Sequence, residues 1–138
     1  MKLKLILLTI CFSITFAVIA QEQKVNVSNV QLFANEVYKS APEYATTAYL
    51  EKYKAKMERI AIVQIAEEKL NNVKFVNLSE VPLMDKYNDN LTHDIAGNFD
   101  SSTFNPLKYR FNYNLNYDQY FRVVGTNYFI KLSKIELK

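Results

Sequence analysis

The alternation of apolar and polar residues is most regular near the C-terminal end of the chain. Across residues 107–118, every odd-numbered position carries Leu, Tyr or Phe, and every even-numbered position carries Lys, Arg, Asn or Asp. Successive side chains of a β-strand point to opposite faces, so this period of two predicts a strand with one buried face. Two more apolar runs, at 120–124 and from Tyr128 onward, are separated by a turn containing glycine. We therefore predict a three-stranded antiparallel meander within residues 104–137.

A helical pattern precedes this region. Ser40 and Glu43 fit a capping box, and Pro42 stands in the first turn, where no amide donor is needed. Apolar residues then recur at helical spacing, with charged residues between them, which predicts an amphipathic helix over residues 40–59. Residues 60–66 are apolar on both faces and rich in β-branched side chains, so they fit either a strand or a continuation of the helix to Leu70. We prefer the strand, because such a run suits a central position in a sheet.

The remaining segments carry weaker patterns. Residues 24–28 alternate briefly and fit a short edge strand or an ordered tail, and residues 73–78 fit a short strand. Residues 73–102 as a whole are mostly loop and contain many turn-forming residues, and a loop of this length is either functional or conceals an element. The predicted fold class is α+β: one amphipathic helix packed on a small antiparallel sheet, with the C-terminal three-stranded meander.

Residues 1–20 have the pattern of a secretory signal peptide. Lys2 and Lys4 precede an apolar run at 5–19, and small residues stand at the expected cleavage site before Gln21. The apolar run is shorter than the ~20 residues that cross a bilayer comfortably. We therefore predict an exported protein, periplasmic or secreted, with no stable membrane span after cleavage and a single domain at 21–138.

Cleavage would change the composition that decides function. It removes the chain's only cysteine, Cys11, and with it any disulfide, thiolate nucleophile or cysteine-ligated metal. It also removes Lys2 and Lys4, which lowers the formal net charge from +3 by two, to +1. So small a charge gives no reason to expect a nucleic acid as partner.

The residues needed for catalysis or metal binding are scarce. His93 is the only histidine, no G-x-S-x-G motif occurs, and the chain has two glycines. A hydrolase built on His93 would require a serine within hydrogen-bond distance of its ring. The acidic and asparagine residues at 85–94 supply oxygen ligands that calcium could use, a lesser alternative, but they lack the order of an EF-hand loop. We predict no enzymatic activity, no cofactor and no metal site.

Binding is the function class that remains. The odd-numbered apolar positions of the predicted meander are needed for the core, which leaves its polar positions and its glycine turn as candidate surfaces. The candidate binding residues are Lys108, Arg110, Asn112, Gly125, Thr126 and Asn127. Tyrosine and asparagine on a surface can stack on sugar rings or anchor a protein, so the expected partner is a protein or a carbohydrate.

The glycine turn resembles a known inhibitory hairpin. Residues 121–131 read F-R-V-V-G-T-N-Y-F-I-K and are similar to the first inhibitory hairpin of cystatins, Q-x-V-x-G followed by T-N-Y-F-I-K. Val123 and Gly125 stand at the motif's valine and glycine, whereas Phe121 replaces its glutamine, and the match lies at the C-terminal end instead of mid-chain. The resemblance implies an alternative function, the inhibition of cysteine proteases through the Gly125 hairpin.

A longer stretch, residues 78–132, resembles small exported bacterial proteins of unassigned function. The resemblance depends on V-P-L-M-D-K-Y-N at 81–88, F-N-P-L-K-Y at 104–109 and the closing hairpin. It implies no particular activity.

Overall fold

A five-stranded sheet lies at the centre of the computed structural model, which describes residues 21–137. The strands are β1 (Gln23–Lys24), β2 (Ile60–Gln64), β3 (Val76–Asn77), β4 (Gln119–Arg122) and β5 (Tyr128–Leu132), and the helices are α1 (Val30–Val37) and α2 (Thr47–Met57). The strand order is β1-β2-β5-β4-β3, and only the β3–β4 pair is parallel. The α+β class and the mostly antiparallel sheet are confirmed. The predicted signal peptide lies outside the described residues.

Strand β2 has an interior place in the sheet, as its composition predicted. It pairs with β5 over five residues and with β1 on its other side, and its first four residues are buried. The strand interpretation of residues 60–66 is therefore confirmed, with Gln64 as the last residue. The chain then continues into a 3₁₀ helix at Glu67–Asn72, instead of extending α2.

The prediction of one helix over residues 40–59 is wrong at its N-terminal end. A 3₁₀ helix covers Pro42–Ala45, Thr46 is extended (φ −83°, ψ 163°), and α2 begins only at Thr47. Ser40 does not cap a helix, because its backbone N–H and its hydroxyl both donate to the carbonyl oxygen of Tyr87, at 3.1 and 2.9 Å. Ser40, the predicted N-cap residue, is therefore bound to the loop that contains Tyr87.

A second helix, α1, was not predicted. Its buried residues, Val30, Phe33, Ala34 and Val37, follow the i, i+3, i+4, i+7 spacing of a helix face. Asn105 fixes this helix to the C-terminal half, since its side-chain amide donates to the carbonyl of Phe33 (3.1 Å) and to the Glu36 carboxylate (2.8 Å).

The predicted three-stranded meander is also wrong in its first strand. Only β4 and β5 form a hairpin, whereas residues 107–118 begin in a 3₁₀ helix at Pro106–Lys108 and make a single bridge, between Leu83 and Tyr109. Asn105 favours the 3₁₀ turn, because its side chain accepts from the N–H of Leu107 ahead of a proline start. The alternation of burial nevertheless holds locally: Tyr109 and Phe111 are buried, and the residue between them is exposed.

The two faces of the sheet are covered by different parts of the chain. Ile62 and Ile130 face the main hydrophobic core, which includes residues of α1 and α2. Val63 and Phe129 point to the opposite face, where Phe75 packs edge to face on Phe129 with ring centroids 5.3 Å apart. Within residues 21–137, no helix has the length and apolar character needed to cross a membrane.

Candidate functional site

Five of the ten tyrosines pack together beside the two helices, and four of them are at least partly exposed. We call this group the tyrosine cluster: Tyr38, Tyr44, Tyr49, Tyr53 and Tyr87. The contacting rings have centroids between 5.3 Å (Tyr44 and Tyr87) and 6.3 Å (Tyr49 and Tyr53) apart. Aromatic rings attract one another at such distances in tilted, edge-to-face and offset stacked arrangements. The cluster is therefore a continuous aromatic surface.

Four segments of the chain deliver these rings. Tyr38 follows α1, Tyr44 lies in the 3₁₀ helix, and Tyr49 and Tyr53 lie one turn apart on α2. Tyr87 comes from the long loop predicted within residues 73–102. The Tyr53 hydroxyl donates to the carbonyl oxygen of Tyr44 at 2.9 Å, which joins α2 to the 3₁₀ helix.

The long loop is anchored at Tyr87 and at the residue that follows it. Ser40 donates two hydrogen bonds to the carbonyl of Tyr87, and the side-chain amide of Asn88 donates to the carbonyl of Glu36 at 2.8 Å. Backbone anchors of this kind hold the Tyr87 ring beside Tyr38 and Tyr44. The site is thus pre-formed and does not depend on an unanchored loop.

The hydroxyl groups of the cluster differ in their surroundings. Tyr53 is 6 % exposed, and burial, followed by the neighbouring Tyr38 phenol, raises its pKa. The Tyr87 phenol raises the pKa of Tyr44, while Tyr44 and Lys86 lower the pKa of Tyr87. The phenols of Tyr44 and Tyr87 therefore lie close enough to affect each other's ionisation.

A polar depression of about 530 Å³ borders the cluster at Tyr87. It is lined by Lys39, Ser40, Lys86, Tyr87, Asn88, Asp89 and Asn90. The Lys86 Nζ atom lies 5.1 Å from the centroid of the Tyr87 ring, within cation–π range. The site therefore places an aromatic surface next to amide, hydroxyl and ammonium groups that donate and accept hydrogen bonds.

The binding residues predicted on the polar positions of 107–118 do not form one surface. Lys108 is internal: its side chain is 10 % exposed and its Nζ atom lies 2.9 Å from the Oδ2 atom of Asp94. Arg110 is exposed and donates from Nε to the carbonyl of Leu83 at 3.0 Å. The exposed Asn112 uses its side chain to accept from the N–H of Asn114, at 3.0 Å, in a local turn.

The glycine turn lies at the other end of the hairpin. The carbonyl of Asn112 accepts from Gln119, the first residue of β4, whereas Gly125, Thr126 and Asn127 follow the last. Gly125 has φ 81°, and a Cβ atom placed on it would lie 3.0 Å from the Cβ of Ala96. The turn is therefore supported by the long loop, and it is not brought together with Arg110 or Asn112.

His93 is half-buried and has no serine partner among the hydrogen bonds of residues 21–137. Its Nε2 atom is 2.8 Å from the carbonyl oxygen of Val81, an acceptor, so this nitrogen carries the proton. The neighbouring Asp94 is engaged by Lys108 and by Tyr109. Within residues 21–137, no group of three His, Cys, Asp or Glu side chains is placed to hold a metal ion.

The sequence contained only part of the signal for the tyrosine cluster. Tyr49 and Tyr53 belong to the apolar positions of the predicted amphipathic helix, where such residues usually form core, and Tyr44 precedes them at similar spacing. No local pattern indicates that Tyr87 joins them, because its place depends on contacts with α1 and Ser40. The chain has no significant match among protein-family models, curated proteins or solved structures.

Proposed function

We propose that the protein is an exported, non-enzymatic binding module that holds carbohydrate on the tyrosine cluster. The observation that carries this proposal is the meeting of exposed and half-buried phenol rings with a depression lined by amide, hydroxyl and ammonium groups. Export itself rests on the signal-peptide pattern of residues 1–20.

The chemistry of the site suits a sugar. The faces of a pyranose ring carry C–H groups that pack on aromatic rings, and Tyr44, Tyr49 and Tyr87 offer partly exposed ones. Sugar hydroxyls need donors and acceptors beside that surface, and Asn88 and Asn90 supply both. Tyrosine gives a large contact area with few rotatable bonds, so little conformational entropy is lost when a ligand binds.

The surroundings of the ionisable groups support a role without catalysis. A general base must contact the group from which it takes a proton, but the Nε2 atom of His93 is occupied by a backbone carbonyl. The buried carboxylate of Asp94 is neutralised by Lys108. Within residues 21–137, the hydrogen bonds and ring contacts of His93 and Asp94 do not involve a tyrosine of the cluster.

The proposal is tested by glycan-array screening followed by calorimetric titration of the sugars that bind. Tyr87→Ala is expected to weaken binding at least tenfold, because it removes a stacking surface at the border of the depression. The matched control is Tyr117→Ala, a tyrosine that is 57 % exposed and outside the cluster. Absence of binding to every glycan, equal losses in both variants, or release of cleaved sugar on incubation would each contradict the proposal.

A second candidate function is inhibition of cysteine proteases by the Gly125 hairpin. It is favoured by the position of the exposed N-terminal segment. Gln23 pairs with Ile62 in antiparallel orientation, and Ile62 pairs with Ile130. The residues before Gln23 therefore lie toward the end of the sheet at which the Gly125 turn is found. Val124 and Gly125 are exposed there. Titration of papain with the purified protein tests it, and an unchanged rate of peptide hydrolysis at micromolar protein would reject it.

A further inference from the structure

The face of the sheet opposite the helices carries a second cavity, of about 610 Å³. It is lined by Glu22, Val63, Gln64, Ile65, Ala66, Lys69, Asn72, Val73, Tyr120 and Lys131. Its floor is formed by strands β2, β5 and β4, and its wall by the segment that follows β2. Sites for small molecules in proteins have volumes of roughly 300–1,000 Å³, so this cavity has the size of a ligand site.

The wall of the cavity is held in place at several points. Arg122 forms an ion pair with Glu67 at the start of the 3₁₀ helix, and Phe75 packs on Phe129 beyond its end. The N–H of Ile65 donates to the carbonyl of Asn127 at 3.0 Å. The segment between these anchors stands away from the sheet at the cavity, which is therefore built into the fold.

A lysine lies on the floor of the cavity beside an aromatic ring. Lys131 on β5 is directly opposite Tyr120 on β4, so their side chains share this face of the sheet. The Lys131 side chain is only 22 % exposed, and its nearest carboxylate, Oε2 of Glu22, is 3.8 Å away. Glu22 also contacts Lys24 at 3.3 Å, so one carboxylate serves two ammonium groups.

The charges of the lining select the sign of a ligand. Lys69 and Lys131 face a single carboxylate, Glu22, which leaves one positive charge in excess. The other contacts are largely apolar, from Val63, Val73 and their neighbours. The ammonium group of Lys131 is half-buried, and its carboxylate partner is 3.8 Å away and shared with Lys24. Such a group gains from an anion that also fills the apolar space.

We propose that this cavity binds a small organic anion with an aromatic or aliphatic body. The acidic group pairs with Lys131, and the body packs between Val73 and Tyr120, over Val63. This site is separate from the tyrosine cluster and does not depend on the carbohydrate proposal.

The test uses a defined pair of probes. The anionic dye 1-anilinonaphthalene-8-sulfonate and its uncharged relative N-phenyl-1-naphthylamine are titrated into the full mature chain, with fluorescence as the readout. Lys131→Met keeps the length of the side chain and removes the charge, and it is expected to weaken binding of the anion at least tenfold with little change for the neutral dye. Lys134→Met, at an exposed lysine outside the cavity lining, is the matched control.

Because such dyes also bind other apolar surfaces, amide chemical shifts locate the site. Shifts that saturate at Val63, Val73 and Tyr120 support the proposal. Shifts centred elsewhere, no saturable binding at millimolar probe, or equal affinities in Lys131→Met and Lys134→Met would overturn it. Tyr87→Ala is expected to leave the dye affinity unchanged, which separates this site from the carbohydrate site.

Discussion

The hydroxyl group of Tyr109 makes two hydrogen bonds with the same residue, Asp94. It donates to the Oδ2 atom at 2.6 Å and accepts from the backbone N–H at 2.8 Å. Lys108 donates to the same Oδ2 atom at 2.9 Å. Asp94 thereby fixes the long loop to the buried segment at 106–109.

The first prediction concerns this double hydrogen bond. Tyr109→Phe removes the hydroxyl but keeps the ring, which is 3 % exposed. Because the buried N–H and carboxylate of Asp94 each lose a partner, we expect the free energy of unfolding to fall by about 1–3 kcal/mol. Guanidinium denaturation followed by circular dichroism measures the change. Tyr117→Phe, at an exposed tyrosine, should alter stability by less than ~0.5 kcal/mol, and an equal loss there would contradict the explanation.

The second prediction concerns the charge on Lys108. Its side chain and that of Asp94 are 10 % and 12 % exposed, so Lys108→Met leaves a buried carboxylate without its counter-ion. We expect a loss of about 3–5 kcal/mol in the free energy of unfolding. The double variant Lys108→Met/Asp94→Asn should regain part of that loss, because no uncompensated charge remains. Denaturation of both variants decides the matter, and a double variant no more stable than the single one would show that the charge is not the cause.

Lys108 also shows that the sequence pattern predicted which side chains are buried better than it predicted what they contact. The alternation at 107–118 correctly separates the buried Tyr109 and Phe111 from the exposed Arg110 and Asn112. It placed Lys108 on the polar face, because the pattern contains no information about a carboxylate 14 positions earlier. Period two describes side-chain direction only. Backbone pairing depends on which segment lies alongside, and here Pro82 and Met84 supply isolated contacts instead of a strand.

Helix α1 is a case in which the sequence carried the pattern but the element was not predicted. Its stripe of buried residues was present in the sequence, but α1 has only eight residues and begins directly after a short 3₁₀ turn. The brief alternation at 24–28 competed with it for the same region. By contrast, β2 could be predicted, since four consecutive buried residues need cover on both faces. The tyrosine cluster could not, because it requires the position of Tyr87 relative to α1.

The third prediction concerns alkaline pH. Burial raises the pKa of both Tyr53 and Tyr109 in the folded protein. Below the ordinary tyrosine pKa of about 10, both states are protonated and the full stability is present. As pH rises above about 10, the unfolded chain loses these protons first, so the free energy of unfolding should decrease by about 1.4 kcal/mol per pH unit for each group. Denaturant titrations between pH 9 and 11 measure this slope.

A matched variant isolates the tyrosine contribution to this slope. Burial lowers the pKa of Lys56, and that shift acts in the opposite direction as the pH rises. The contribution of Lys56 to the pH dependence is the same in the native chain and in Tyr109→Phe, so it cancels when the two are compared. Above pH 10, the free energy of unfolding of the variant should fall less steeply than that of the native chain, by about 1.4 kcal/mol per pH unit, which corresponds to one proton. Identical slopes would contradict a raised pKa for Tyr109.

The fourth prediction compares the two glycines. Gly125 has φ 81°, where a Cβ atom is strained, and that atom would also lie 3.0 Å from the Cβ of Ala96. Gly125→Ala should therefore lower the free energy of unfolding by about 1–2 kcal/mol or more. Gly97→Ala meets no atom within 4 Å and should be neutral or slightly stabilising. Thermal denaturation of both variants tests the contrast. In Gly125→Ala/Ala96→Gly the close contact is absent but the strained φ remains, so only part of the stability should return, and complete recovery would show that the backbone conformation carries no cost.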